Sequence, residues 1–163
     1  MKNQIEGYYE GKYDKFTNEK RYSFYFLSKS DTDGSIDVSF SITTCSRVIK
    51  EISLNINSVS YYRGGYFDYK FQEDPKVIFI CKDKNIITIS EVLKYSSDGN
   101  PLTSSSITER LEFHVDEVFI KKLTESNQVE YSIRGNCIIS QGKIKTNNIL
   151  HFYNIVLDKI KTL

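Results

Sequence analysis

The clearest grouping of reactive side chains is Glu112, His114 and Asp116, three polar residues at two-residue spacing. On an extended strand that spacing puts all three on one face. A carboxylate, an imidazole and a second carboxylate there are the parts of a general acid–base pair with an orienting partner. Distance argues against a working triad, because successive residues on one strand face are about 6.5–7 Å apart, beyond direct hydrogen-bond reach. A solvent-facing strand produces the same alternation, so the trio supports only an enzyme alternative, and no residue is assigned a catalytic role.

Metal and covalent chemistry find less support. His151 precedes Phe152 in a helix-like stretch and has Ile155 four positions on, where a helical metal pair needs a second ligand. Cys45, Cys81 and Cys137 lie in separate strand-like runs, with no Cys-x-x-Cys pair and no adjacent histidine. An odd number of dispersed cysteines reads as reduced thiols buried as small hydrophobes. No serine occupies Gly-x-Ser-x-Gly, and neither a calcium-binding loop nor a Walker-type phosphate loop occurs. The expectation is therefore of neither a metal nor a cofactor.

The densest aromatic-plus-arginine patch is Tyr61, Tyr62, Arg63, Tyr66 and Tyr69, with Phe67 among them. These residue types are enriched at binding hot spots, and the five form the candidate ligand- or partner-binding set. The competing explanation is an alternating strand pair, one half filling the core and the other lining a wet sheet face. Stacking on single-stranded nucleic acid is a minor possibility, since Asp68, Glu73 and Asp74 dilute the positive charge.

The elements that position these residues are mostly strands. Ile36, Val38, Phe40 and Ile42 alternate with Asp37, Ser39, Ser41 and Thr43, and Tyr22, Phe24 and Phe26 repeat the pattern upstream. Asp33-Gly34 between them predicts an antiparallel hairpin. Ile52, Leu54 and Ile56 begin another run that ends at Arg63-Gly64-Gly65, a second hairpin turn with 66–71 as its return strand. Runs over 77–82 and 85–95 follow, then the turn-rich stretch 96–106. Ile107, Leu111, Phe113 and Val115 share one parity, whereas Val118 and Ile120 take the other, which predicts a bulge or bend near Asp116-Glu117 in a continuing strand. A strand over 128–140 is expected to carry a bulge or a close backbone approach at Gly135.

The C-terminal stretch changes period. Ile149, Phe152, Tyr153, Val156 and Ile160 recur at three- and four-residue steps, predicting an amphipathic helix over about 148–162 capped by Asn147 or Asn148. The architecture expected is mainly β, an antiparallel meander of roughly eight or nine strands forming a barrel or a sandwich, with one C-terminal α-helix.

A length of 163 residues suits one domain spanning 1–163, large enough for a core without disulfides or metal. Lysine plus arginine number 22 against 21 aspartate plus glutamate, a formal charge of +1 that provides no long-range field toward nucleic acid or anionic membrane. The N-terminal residues lack the apolar run of a signal peptide and no stretch reaches membrane-spanning length, so the expected location is cytoplasmic.

Ile5-Glu6-Gly7-Tyr8-Tyr9 opens the first strand, with Gly7 two residues before the aromatic Tyr9, and a helix follows the meander. This order of elements resembles the lipocalin and wider calycin group, whose first strand carries Gly-x-Trp. Tyr9 stands where that group has tryptophan, and no strand follows the helix. The resemblance implies a barrel with an internal cavity for a small apolar ligand.

The leading expectation is thus a non-catalytic binding protein with a small apolar ligand in a β-barrel cavity. The alternatives are a protein-binding inhibitor or immunity-type module acting intracellularly through a sheet face, and an enzyme using Glu112, His114 and Asp116. An exposed edge strand could also support a homodimer.

Overall fold

The computed structural model describes residues 5–61, 69–99 and 105–162, which form ten strands and two helices. The expected first hairpin forms: β2 (Glu19–Asp31) pairs antiparallel with β3 (Gly34–Cys45), ending with Asp31 opposite Gly34. The Asp31 carboxylate accepts from the backbone N–H of Asp33 and Gly34 at 2.7 and 3.1 Å, which closes the turn locally. Position 34 requires glycine, because φ is 153° and a Cβ there would lie 1.9 Å from the Val59 carbonyl oxygen.

β4 (Val48–Tyr61) continues the meander on β3, and β1 (Tyr8–Glu10) pairs with the other side of β2. The next neighbour of β4 is β8 (Ser106–Val115), with β7 (Val92–Asp98) outside it, giving a six-stranded order β1-β2-β3-β4-β8-β7. The second sheet runs β10 (Ile138–Lys145), β9 (Gln128–Arg134), β5 (Lys76–Ile80), β6 (Ile86–Ile89). Every pairing is antiparallel, and both sheets are open among the described residues, with β1, β7, β10 and β6 as edges.

One hydrophobic cluster draws on both sheets and both helices, α1 (Glu117–Thr124) and α2 (Asn147–Lys161). Phe119 of α1 stands between Phe40 of β3 and Phe79 of β5, with ring centroids 6.0 and 5.7 Å away, and so joins the two sheets. Phe152 of α2 packs on Phe24 and Tyr8 at 5.7 and 6.0 Å, closing the core beneath β1 and β2. Leu54, Phe113, Leu123 and Val156 are wholly buried, and burying a large apolar side chain contributes roughly 1.5–3 kcal/mol.

Several expected strands are replaced by other structure, each for a readable reason. Val118 and Ile120 do not continue a bent strand but belong to α1, whose buried Phe119, Ile120 and Leu123 follow helical spacing. Asp116 is its N-cap, its carboxylate accepting from Phe119 N–H at 2.8 Å. The single strand expected over 128–140 is the β9–β10 hairpin, with Gly135–Cys137 at the turn. Gly135 is the close-approach point that was expected: a Cβ there would meet the Lys70 carbonyl oxygen at 1.8 Å. The run 85–95 divides into β6 and β7, which lie in different sheets.

The return strand expected over 66–71 is not seen in its described part. Tyr69, Lys70 and Phe71 lie outside any strand and are clamped from two sides. Glu109, a buried carboxylate on the core face of β8, accepts from Lys70 N–H at 2.8 Å and Phe71 N–H at 3.0 Å. Asn136 donates its side-chain amide to the Tyr69 carbonyl and its backbone N–H to the Lys70 carbonyl, both at 3.1 Å. Backbone groups with no ladder of their own are thereby satisfied by a side chain and a turn. The proposed Gly64-Gly65 turn lies outside the described residues.

The C-terminal helix forms over nearly its expected span. Its N-cap is Thr146 instead of Asn147 or Asn148, and the Thr146 hydroxyl turns away to bond the Ser126 carbonyl. Cysteine burial is also only partly as expected: all three thiols are free, with Cys81 buried, Cys45 half-buried and Cys137 exposed on the β9–β10 turn. Among the described residues no helix is long and apolar enough to cross a membrane.

Candidate functional site

The strand alternation that sends Tyr22, Phe40, Leu54 and Phe113 into the core sends their neighbours to the opposite face of the six-stranded sheet. Register aligns these outward residues in rows across the strands. Tyr25, Ser39, Asn55, Glu112 and Lys94 form one row; Asp37, Asn57, Arg110 and Ser96 form the next. Together they line a groove of about 390 Å³. Its floor is made of small hydroxyls, and Ser39, Ser41 and Ser53 are buried although they point away from the core.

Ser41 organises that floor. Its oxygen accepts from Arg21 Nη2 at 3.2 Å and from Asn55 Nδ2 at 2.8 Å, and lies 3.0 Å from Ser23 Oγ. A hydroxyl has two acceptor positions and one proton, so with both acceptor positions of Ser41 filled its proton is the one available for Ser23. Asn55 in turn accepts from Ser53 Oγ at 3.2 Å, which fixes the orientation of its amide.

Arg21 lies across this floor and meets Glu112 at 3.0 Å. The two residues belong to β2 and β8, strands about 14 Å apart in a flat sheet with β3 and β4 between them. The two long side chains meet over Ser41 and Asn55, which lie between them. Around this pair stand Lys94, Arg110 and Asp37, and Asp37 accepts a hydrogen bond from Ser28. Neither Lys94 nor Arg110 forms an ion pair among the described residues. At one end Tyr25 is half-exposed, its ring met edge-on by Tyr9 with centroids 5.6 Å apart and planes at 90°.

The expected site residues are only partly brought together. Glu112 lies in the groove, held by Arg21, whereas exposed His114 borders a separate hollow beside β6 and α1. Asp116 caps α1 and borders that same hollow, so His114 and Asp116 share one hollow while Glu112 lies in another. Tyr61 ends β4, about half-exposed, with its N–H donated to the Asp33 carbonyl at 2.9 Å. Tyr69 is half-buried in the clamped segment. Tyr62, Arg63 and Tyr66 lie outside the described residues. Among the described residues no three His, Cys, Asp or Glu side chains converge as a metal site.

Sequence reasoning missed the groove because its residues were read only as the wet half of each strand. The available signal was their composition: mostly serine and asparagine, with a few isolated charges of both signs. It also missed Glu109, whose signal was a carboxylate at core parity among Ile107, Leu111, Phe113 and Val115. Compared with models of protein families, with curated proteins and with solved structures, the chain shows no match.

Proposed function

We propose that this protein is a non-catalytic binding protein whose working surface is the groove on the outer face of the six-stranded sheet, and that its ligand is small and polar. The observation that carries this reading is the floor of ordered hydroxyl and amide groups around Ser41, with Arg21 and Glu112 drawn across it. The groove's volume of about 390 Å³ falls within the range of small-molecule sites, about 300–1,000 Å³. Its lining favours a polar ligand over the apolar one implied by a lipocalin-type cavity. In the described core, Phe40, Leu54, Phe113 and Phe152 occupy the space between the elements.

The test is native mass spectrometry of the protein after exposure to the small-molecule fraction of a cell extract, alongside Asn57→Trp. Asn57 is exposed at the groove, so a bulky ring there obstructs the site with little demand on the core. A mass adduct on the wild type that Asn57→Trp fails to retain supports the reading. An adduct retained equally by both proteins, or none on either, overturns it.

A second reading, a protein partner docked on the same face, is favoured by one observation: Tyr9 and Tyr25 are 61% and 46% exposed beside the groove, and tyrosine is a frequent hot-spot residue. Under that reading Tyr9→Ala and Tyr25→Ala weaken capture of the partner while small-molecule adducts are absent.

A further inference from the structure

The groove's chemistry narrows the class of ligand, an inference that rests on the groove being the binding site. We propose that the ligand is a neutral saccharide or similar cyclic polyol, seated with an apolar ring face on Tyr25. A sugar ring presents two kinds of surface. Around its rim neighbouring hydroxyls act as both donors and acceptors, and on its faces only C–H groups are exposed. The groove offers the counterpart of each.

For the rim there are hydroxyls and amides that can both give and take a hydrogen bond, including the Ser23 hydroxyl and the exposed Asn57 amide. Arg110 and Asp37, in the same cross-strand row as Asn57, are planar groups able to engage two adjacent hydroxyls at once. For the ring face there is Tyr25, which lines the groove and packs at 90° against Tyr9.

Two alternatives fit less well. An extended peptide binds most readily by adding to an unpaired strand edge, whereas this groove lies on a face whose backbone ladder is already filled on both sides of β3 and β4. A strongly anionic ligand would call for a cationic site. Here Arg21, Lys94 and Arg110 stand against Glu112 and Asp37, with Arg21 paired to Glu112, so the groove is close to charge balance and not strongly cationic.

The experiment is isothermal titration of the full chain with maltose, cellobiose, diacetylchitobiose and methyl glucoside, with glucuronate as the anionic control. Tyrosine fluorescence provides an independent readout for the wild type and the Tyr25 variants, because the protein has no tryptophan. Saturable binding of at least one neutral sugar is expected, weakened about tenfold in Tyr25→Ala and nearly unchanged in Tyr25→Phe, which keeps the ring face. Asn57→Trp abolishes it. Tighter binding of glucuronate than of every neutral sugar, or equal binding by Tyr25→Ala, overturns the proposal. If no sugar binds while the Asn57-sensitive adduct is present, the ligand class falls and the groove stands. If the adduct is also absent, both readings fall.

Discussion

Glu109 and Tyr95, on the adjacent strands β8 and β7, share a 2.8 Å hydrogen bond in which the phenol donates to a carboxylate that also receives two backbone N–H groups. The same carboxylate thus holds the edge strand β7 and the segment Lys70–Phe71 against the six-stranded sheet. Glu109→Ala leaves all three donors without that acceptor, and a loss of about 2–4 kcal/mol is expected by urea denaturation. Glu109→Gln is expected to fall between the wild type and Glu109→Ala, because an amide turns one donor toward donors.

Tyr95 should ionise late. Burial, and then the adjoining Glu109 carboxylate, push its phenol up to about 12. Tyr153, buried against α1 and bonded to Glu117, is likewise pushed up to about 12. For an acid whose folded value is raised, the stabilisation is present below the unfolded value near 10 and is lost as pH climbs through the folded value. Alkaline difference absorbance is expected to show a late-titrating class of tyrosines that loses one member in Tyr95→Phe and one in Tyr153→Phe.

Glu10 behaves in the opposite sense. Burial alone would raise its carboxyl, but hydrogen bonds from Lys159 and Lys20, at 2.9 and 3.2 Å, outweigh burial and hold it below the usual carboxylate range. The stabilisation from this cluster is present above the unfolded value near 4.3 and is lost as pH falls through the lower folded value. Because all three side chains are partly exposed, the contribution is small, below about 1 kcal/mol. Since Lys159 belongs to α2, the pH dependence of hydrogen exchange in 147–161 is expected to differ between wild type and Glu10→Gln only in the acid limb.

Asp116 is the N-cap of α1. Asp116→Ala should cost about 1 kcal/mol, within the usual range of 0.5–2 for a lost N-cap, and Asp116→Asn much less. Thermal unfolding checks this. The ligand affinity of the sheet groove is expected to be the same in both variants.

The three thiols should separate by exposure. Cys137, exposed on its turn, is expected to alkylate first with iodoacetamide, and half-buried Cys45 later. Cys81, buried and with its thiol pushed up by burial, should react only on unfolding. Peptide mapping of time points distinguishes the three.

Local pattern alone determined that the chain is mainly β, that β2 and β3 form a hairpin around Asp33-Gly34, and that the last fifteen residues or so coil into a helix. Each of these depends on side-chain period and turn chemistry within a short stretch. Tertiary structure decided the rest. Asp116 reads as strand until Phe119 finds its place between Phe40 and Phe79, when capping a helix becomes the better use of its carboxylate. Glu109 has no role until the Lys70 and Phe71 N–H groups arrive from about forty residues earlier to meet its carboxylate. The groove needs Arg21, Ser41, Asn55 and Glu112 side by side, and no stretch of sequence contains the order β2-β3-β4-β8 that places them there. Period is written in the chain because it is set by bonds between neighbours. Strand order and site geometry are not, because they are set by contacts that exist only once distant segments have packed.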